Sequence, residues 1–226
     1  MYIIIFYGLA ALALLITVGA SAYIESSYNK YQKIDTEKKM TGADVARRLL
    51  DKHGLQDIKV EQVSGHLSDH YDPKAKAVRL SETIYGKSSI ASVAVACHEC
   101  GHAIQDKNGY TFLRIRRTLV PIVNLCTYAG YLAIIIGSVM SMLGLIWIGI
   151  AAEMIILLFQ LVTLPVEFDA SKRGLREVRE EKILNEEELK GGRTMLRSAA
   201  LTYVASAASA IIEVLRLVMI YGRKND

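Results

Sequence analysis

The chain has little cysteine and little charge, and its charge is absent from long stretches. Its 226 residues include three cysteines, are 22% charged against 52% hydrophobic, and carry a formal net charge of +4. No lysine or arginine precedes the first apolar run, and residues 2–23 carry no charge at all. No basic-aromatic pattern occurs, so the positive charge gives no reason to expect a nucleic-acid partner. No internal repeat or low-complexity segment is present. Cys97 and Cys100 stand in a C-x-x-C spacing, which suits a redox pair or a structural zinc site. However, the small and apolar residues 89–97 predict a helix here, ending at the stop signal Asn108-Gly109. With Cys97 at zero and ~100° per residue, His98 falls at ~100°, His102 at ~140°, Glu99 at ~200° and Cys100 at ~300°. The thiols therefore face away from the histidines and read as small packing residues in a reducing compartment. Cys126, in an apolar helix, reads as free.

The apolar residues are concentrated. Residues 2–23 are long enough to cross a bilayer. Ala20-Ser21-Ala22 resembles a signal-peptide cleavage site, but the run lacks a basic start and exceeds the usual apolar region of such a peptide, so an uncleaved anchor is expected. Residues 119–165 are too long for one span and suit a hairpin of two, breaking near 138–144. Residues 198–221, which contain Glu213 and Arg216, either span or lie along the interface with their charges snorkelling. Lys30, Lys33, Lys38 and Lys39 follow the first span, Arg114, Arg116 and Arg117 precede the hairpin, and Lys172, Arg173 and Arg176 follow it. The positive-inside rule puts all three basic segments in the cytoplasm. Glu153 falls inside the second span of the hairpin. It reads as paired with Arg216 or as a protonated acid facing a neighbouring helix.

His98-Glu99-Cys100-Gly101-His102 is the stretch that carries chemistry. Histidines at i and i+4 on one helical face can reach one metal ion, and the glutamate beside the first can activate a bound water. Three protein ligands leave zinc a fourth position, where water becomes acidic enough to attack at neutral pH. Ahead of this helix, Thr41 to Asp44 resembles a helix start, and Val45, Ala46, Leu49 and Leu50 form a stripe ending at Gly54. Ile58, Val60 and Val63 suggest a strand, Asp72-Pro73-Lys74 a turn, and residues 77–81 a second strand. That second strand is expected to pair with an extended substrate.

The third ligand is less direct. His53 abuts a helix end and reads as a capping or solvated residue. His66 and His70 lie in a polar loop, where ligand, stabiliser and solvated roles all stay open. Glu167 is the better candidate, because a hairpin returns the chain to its starting side and so brings Glu167 to the membrane face of His98 and His102. An ordinary juxtamembrane acid is the plainer alternative. Asp169 is a candidate acceptor for a ligand histidine.

The segments 98–105, 68–73 and 164–171 together resemble the bacterial membrane neutral zinc metallopeptidase family (YugP-like), over nearly the whole chain. The layout is also similar to that of the HtpX-type membrane proteases, with a histidine motif, a two-span hairpin and then a glutamate ligand. The resemblance implies a membrane-bound, zinc-dependent peptidase with Glu167 as third ligand. The HtpX-type aspartate falls four residues after that glutamate, where this chain has Ser171, so Asp169 is the residue expected to take its role.

The expected fold is α+β, mainly α: a multi-pass membrane protein with a small zincin-like peptidase domain on the cytoplasmic face. Its expected segments are an anchor (1–23), the peptidase domain (24–117), a transmembrane hairpin (118–165), a cytoplasmic segment with the third ligand (166–197), a transmembrane or interfacial helix (198–221) and a tail (222–226). The expected activity is zinc-dependent endopeptidase cleavage of membrane or membrane-proximal proteins at a bacterial cytoplasmic membrane. His98, His102 and Glu167 hold Zn2+, Glu99 is the base, and His66, His70, Arg193 and Tyr203 are candidates for stabilising the oxyanion. The partners are a protein or peptide substrate and the lipid bilayer. Two rivals remain. A site-2-type intramembrane protease would need a spanning histidine-motif helix and a later Asp-Gly ligand. A non-catalytic scaffold would hold zinc structurally or not at all.

Overall fold

The computed structural model describes residues 2–222, with side chains from residue 7 onward. The elements run α1 (Tyr2–Tyr31), α2 (Gly42–Lys52), β1 (Lys59–Val63), β2 (His70–Asp72), β3 (Ala77–Ser81), α3 (Glu82–Tyr85), α4 (Ile90–Lys107), α5 (Thr111–Val139), α6 (Leu143–Glu180) and α7 (Glu186–Tyr221). The chain is mainly helical with one small sheet, and it divides into two compact units. One comprises the described residues of Met1–Ser21, Arg114–Pro165 and Leu201–Asp226; the other comprises Ala22–Leu113 and Val166–Ala200.

The first unit is built from the apolar parts of α1, α5, α6 and α7, helices that are each long and apolar enough to cross a membrane. The stretch left open between spanning and lying flat belongs to one such helix, α7. The α5–α6 break falls at residues 140–142, where Ser141 takes a left-handed turn conformation (φ 56°). Large apolar side chains point outward: Leu125 is 69% exposed and Val139 81%. That pattern suits lipid, in which helices associate through close packing rather than through the hydrophobic effect. Close packing is present. A Cβ on Gly130 would lie 2.6 Å from the Ala152 Cβ, and one on Gly149 would lie 2.8 Å from the Gly130 carbonyl oxygen. Ile146, Ile150 and Leu217 form the buried centre of this unit. Arg216 pairs with Glu213, three residues away on the same helix.

The second unit has an interior more like that of a soluble protein. Helix α2 starts where the sequence indicates: Thr41 and Asp44 form a capping box, and Gly54 takes a positive φ just past the helix end. Its stripe of Val45, Ala46, Leu49 and Leu50 is fully buried and forms one core with Val78 and Leu80 of β3 and Val93, Ala94, Cys100 and Ile104 of α4. The sheet order is β1-β3-β2, with β1 parallel and β2 antiparallel to β3. This arrangement corrects one expectation. The strand that leads toward the histidine helix, β3, is central and hydrogen-bonded on both sides, so it has no free edge for a substrate. The stretch read as a polar loop contains β2, an edge strand of this sheet. Asp69 ties this segment down, its carboxylate accepting the Ser81 N–H at 2.7 Å.

Candidate metal centre

Helix α4 is capped by Ser89, whose hydroxyl accepts the Ser92 N–H. It carries the histidine motif in mid-helix and is not among the membrane-length helices. Its i, i+4 spacing places the His98 and His102 ring centroids 4.7 Å apart. Helix α6 supplies Glu167. Its Oε2 lies 3.2 Å from His98 Nε2 and 3.6 Å from His102 Nε2. One donor atom from each of the three residues lies within 4.8 Å of the others. Ligands ~2.0–2.1 Å from a tetrahedral zinc stand roughly 3.3–3.4 Å apart, and two imidazoles with one carboxylate are a donor set of hydrolytic zinc sites. The residues present therefore fit zinc.

Two glycines explain how α6 comes so close. A Cβ on Gly101 of α4 would lie 2.3 Å from the Ala170 carbonyl oxygen, and one on Gly174 of α6 would lie 2.3 Å from the Cys97 carbonyl oxygen. Backbone therefore meets backbone at both points, with no room for a side chain. Gly101 sits inside the histidine motif, so one segment supplies both histidines and the notch that admits Glu167.

The cluster is buried. Glu167 is 2% exposed and Glu99 is 7%. Burial pushes the Glu167 carboxyl up, but hydrogen bonds from His102 and His98 outweigh it and hold the group well below the usual carboxylate range. Glu99 goes the other way. Burial pushes it up to about 7, with Glu167 and Asp69 reinforcing and His98 opposing, while the Tyr71 backbone N–H donates to its carboxylate. That bond brings β2 beside Glu99.

The outer partners of the histidines are residues that sequence reasoning missed. Ser171 Oγ lies 3.0 Å from His98 Nδ1. Gln105 Oε1 lies 3.1 Å from His102 Nδ1, and Gln105 Nε2 donates to Val166 O and to Asp169 Oδ2, each at 2.8 Å. Asp169 also accepts from Arg173 Nε. The position where this chain departs from the HtpX-type pattern thus carries the His98 partner itself, and Asp169 stands one residue removed from His102. The i+3 spacing of His102 and Gln105 on one helical face was the available signal for Gln105.

The other candidates lie elsewhere. His66 pairs with Glu25 at 3.1 Å and packs edge-on against Tyr28. His70 Nδ1 lies 2.8 Å from the Ser68 carbonyl oxygen. Neither imidazole joins the cluster. His53 caps α2 and lies 3.0 Å from Glu177. Arg193 lines a basic cavity of about 310 Å³ with Lys172, Leu175, Arg176, Arg179 and Leu189, and Tyr203 belongs to the apolar unit. Cys97 and Cys100 are buried free thiols, and Cys126 is free as well.

A family model described as "Putative neutral zinc metallopeptidase" matches residues 5–222. A curated relative, "Putative membrane protease YugP" of Bacillus subtilis (strain 168), is 42% identical over 222 residues, which cover 98% of this chain and 98% of the relative. No solved structure matches. With the match running through the histidine motif, the hairpin and Glu167, the chain belongs to the neutral zinc metallopeptidase family.

Proposed function

We propose that this membrane-embedded zinc metallopeptidase holds its metal with His98, His102 and Glu167 and uses Glu99 as general base. We further propose that it cleaves membrane or membrane-proximal proteins at the cytoplasmic face of a bacterial plasma membrane. One observation carries the assignment: a buried carboxylate from α6 meets two imidazoles from α4 at the separation zinc needs, with a second buried carboxylate alongside. When bound, zinc supplies Lewis acidity toward the scissile carbonyl and acidifies a water for attack. The remaining steps belong to the chain. Glu99 takes the attacking water's proton on a carboxylate oxygen and delivers it to the leaving nitrogen. Tyr71 holds that carboxylate by its backbone N–H. β2 is an edge strand of the sheet beside Glu99, and an extended peptide would lie along it, with the Tyr71 N–H kept by Glu99.

The cytoplasmic assignment rests on the basic residues at 30–39, 114–117 and 172–176, which flank the apolar runs. Two rivals lose ground. A site-2-type enzyme needs its histidine motif in a spanning helix, and α4 is not of that kind. A scaffold has no need of a buried carboxylate at position 99. Zinc content and casein cleavage in detergent, with and without chelator, test the proposal. Zinc-dependent cleavage is expected, and zinc-loaded protein that cleaves nothing would return it to the scaffold.

A further inference from the structure

The basic cavity lined by Arg193 shares no residue with the histidine cluster, and its composition is one-sided. It lies wholly within the second unit. Lys172, Leu175, Arg176 and Arg179 recur along one face of α6 at helical spacing, and Leu189 and Arg193 stand one turn apart on α7. Leu189 is buried and Leu175 half-buried, whereas all four cations are exposed. Leucine therefore forms the floor and positive charge the rim, with no acid in the lining. Two of the cations already have partners: Arg176 pairs with Glu177 and Glu180, and Arg179 with Glu186. Lys172 and Arg193 form no ion pair among the described residues. One positive charge from each helix is thus left uncompensated over an apolar floor. Along the sequence, Lys172 follows Pro165, the end of the apolar unit's share of α6, by about two turns, and Arg193 precedes Leu201, the start of its share of α7, by about two turns.

We propose that this cavity binds the phosphate headgroup of an anionic phospholipid, held by Lys172 and Arg193. Arginine and lysine are the side chains that take phosphate, by forked hydrogen bonds and as a point charge respectively. Basic pockets beside membrane helices suit anionic headgroups. A phospholipid also matches the order of the lining, with phosphate for the rim and glycerol and acyl carbons for the leucine floor. A free phosphate ion has no use for that floor. Because the lining comes from both α6 and α7, a bound lipid ties the two helices together and favours the folded protein. The proposal does not depend on the zinc reading.

The test uses the full-length protein in dodecyl maltoside, titrated with dioleoyl phosphatidylglycerol while its melting temperature is followed. A saturable rise is expected, and none with dioleoyl phosphatidylcholine, whose headgroup carries no net charge. Lys172→Gln with Arg193→Gln is expected to weaken phosphatidylglycerol binding about 30-fold, at about 5-fold for each cation. Both side chains are exposed, so the fold survives the change. Lys172→Arg with Arg193→Lys keeps the charge and keeps the binding. Lys30→Gln with Lys33→Gln removes the same charge outside the cavity and leaves binding at its wild-type strength. An equal loss in that pair would reduce the effect to diffuse attraction and overturn the site, as would undiminished binding when Lys172 and Arg193 are both glutamine. Inorganic phosphate alone is expected to give no rise. A rise that matches the lipid's would assign the cavity to a soluble anion and overturn the lipid proposal.

Discussion

The two units of this chain both bring helices into backbone contact through glycine, but they use the contact differently. In the apolar unit, Gly130 and Gly149 let α5 and α6 approach while bulky residues such as Leu125 and Val139 face outward. Small residues are what hold helices together where lipid is as apolar as leucine. In the unit that carries the histidine motif, Gly101 and Gly174 sit among a buried hydrophobic core and set the position of Glu167. The first contact supports a bundle, and the second supports a reaction.

The largest effect that separates the two comes from the chemistry itself. Glu99→Gln is expected to lower peptidase activity about 10²- to 10⁴-fold, with zinc content unchanged by elemental analysis. Full activity in purified variant enzyme removes Glu99 as the base. Gly101→Ala comes next. Its methyl group would meet a carbonyl oxygen at 2.3 Å, so α4 and α6 must separate. A cost of about 1–3 kcal/mol is expected from overpacking, together with weakened zinc binding. Wild-type zinc affinity in that variant would mean that the notch does not position Glu167.

Glu177 gives a third break point, away from the metal. It is 2% exposed, and its Oε2 lies 2.9 Å from Lys52 Nζ and 3.0 Å from His53 Nε2. Burial pushes its carboxyl up, but Lys52 and His53 outweigh burial and hold it below its ordinary value. Its contribution to stability is therefore complete above the unfolded carboxyl pKa of about 4.3 and is lost as pH falls through the lower folded value. Glu177→Gln is expected to cost about 1–3 kcal/mol at neutral pH, in line with hydrogen bonds to charged groups. It should also flatten the loss of melting temperature on acidification, and an equally steep acid loss in the variant contradicts this. The smallest effect on the metal comes from Gly149→Ala. Its methyl would lie 2.4 Å from the Ile134 side chain and 2.8 Å from the Gly130 carbonyl oxygen, so about 1–3 kcal/mol of overpacking is expected with zinc affinity intact. Zinc loss from this variant would blur the distinction between the units.

Much of this was legible in the sequence, because the signals were local or strongly periodic. Thr41 and Asp44 announced α2, and the charge-free runs announced the long helices. The 98–102 spacing announced the paired histidines, and their meeting with Glu167 was reachable because a hairpin returns to its starting side. What escaped notice depended on meetings between distant segments. The three residues of β2 sit in a polar stretch and become a strand only by pairing with β3. That pairing in turn closed the strand expected to take substrate. Ser171 and Gln105 carry no motif of their own, and their roles follow from α6 lying against α4. Gly101 was in view within the motif, but a glycine shows its purpose only when its neighbour is known.

The central claim is that two imidazoles and one carboxylate, and no thiol, hold zinc in this protein. X-ray absorption at the zinc edge on purified, zinc-loaded protein tests it most directly. The spectrum is expected to show nitrogen and oxygen neighbours at about 2.0–2.1 Å, with no sulfur shell near 2.3 Å. A sulfur shell would move the metal to Cys97 and Cys100 and contradict the assignment of His98, His102 and Glu167.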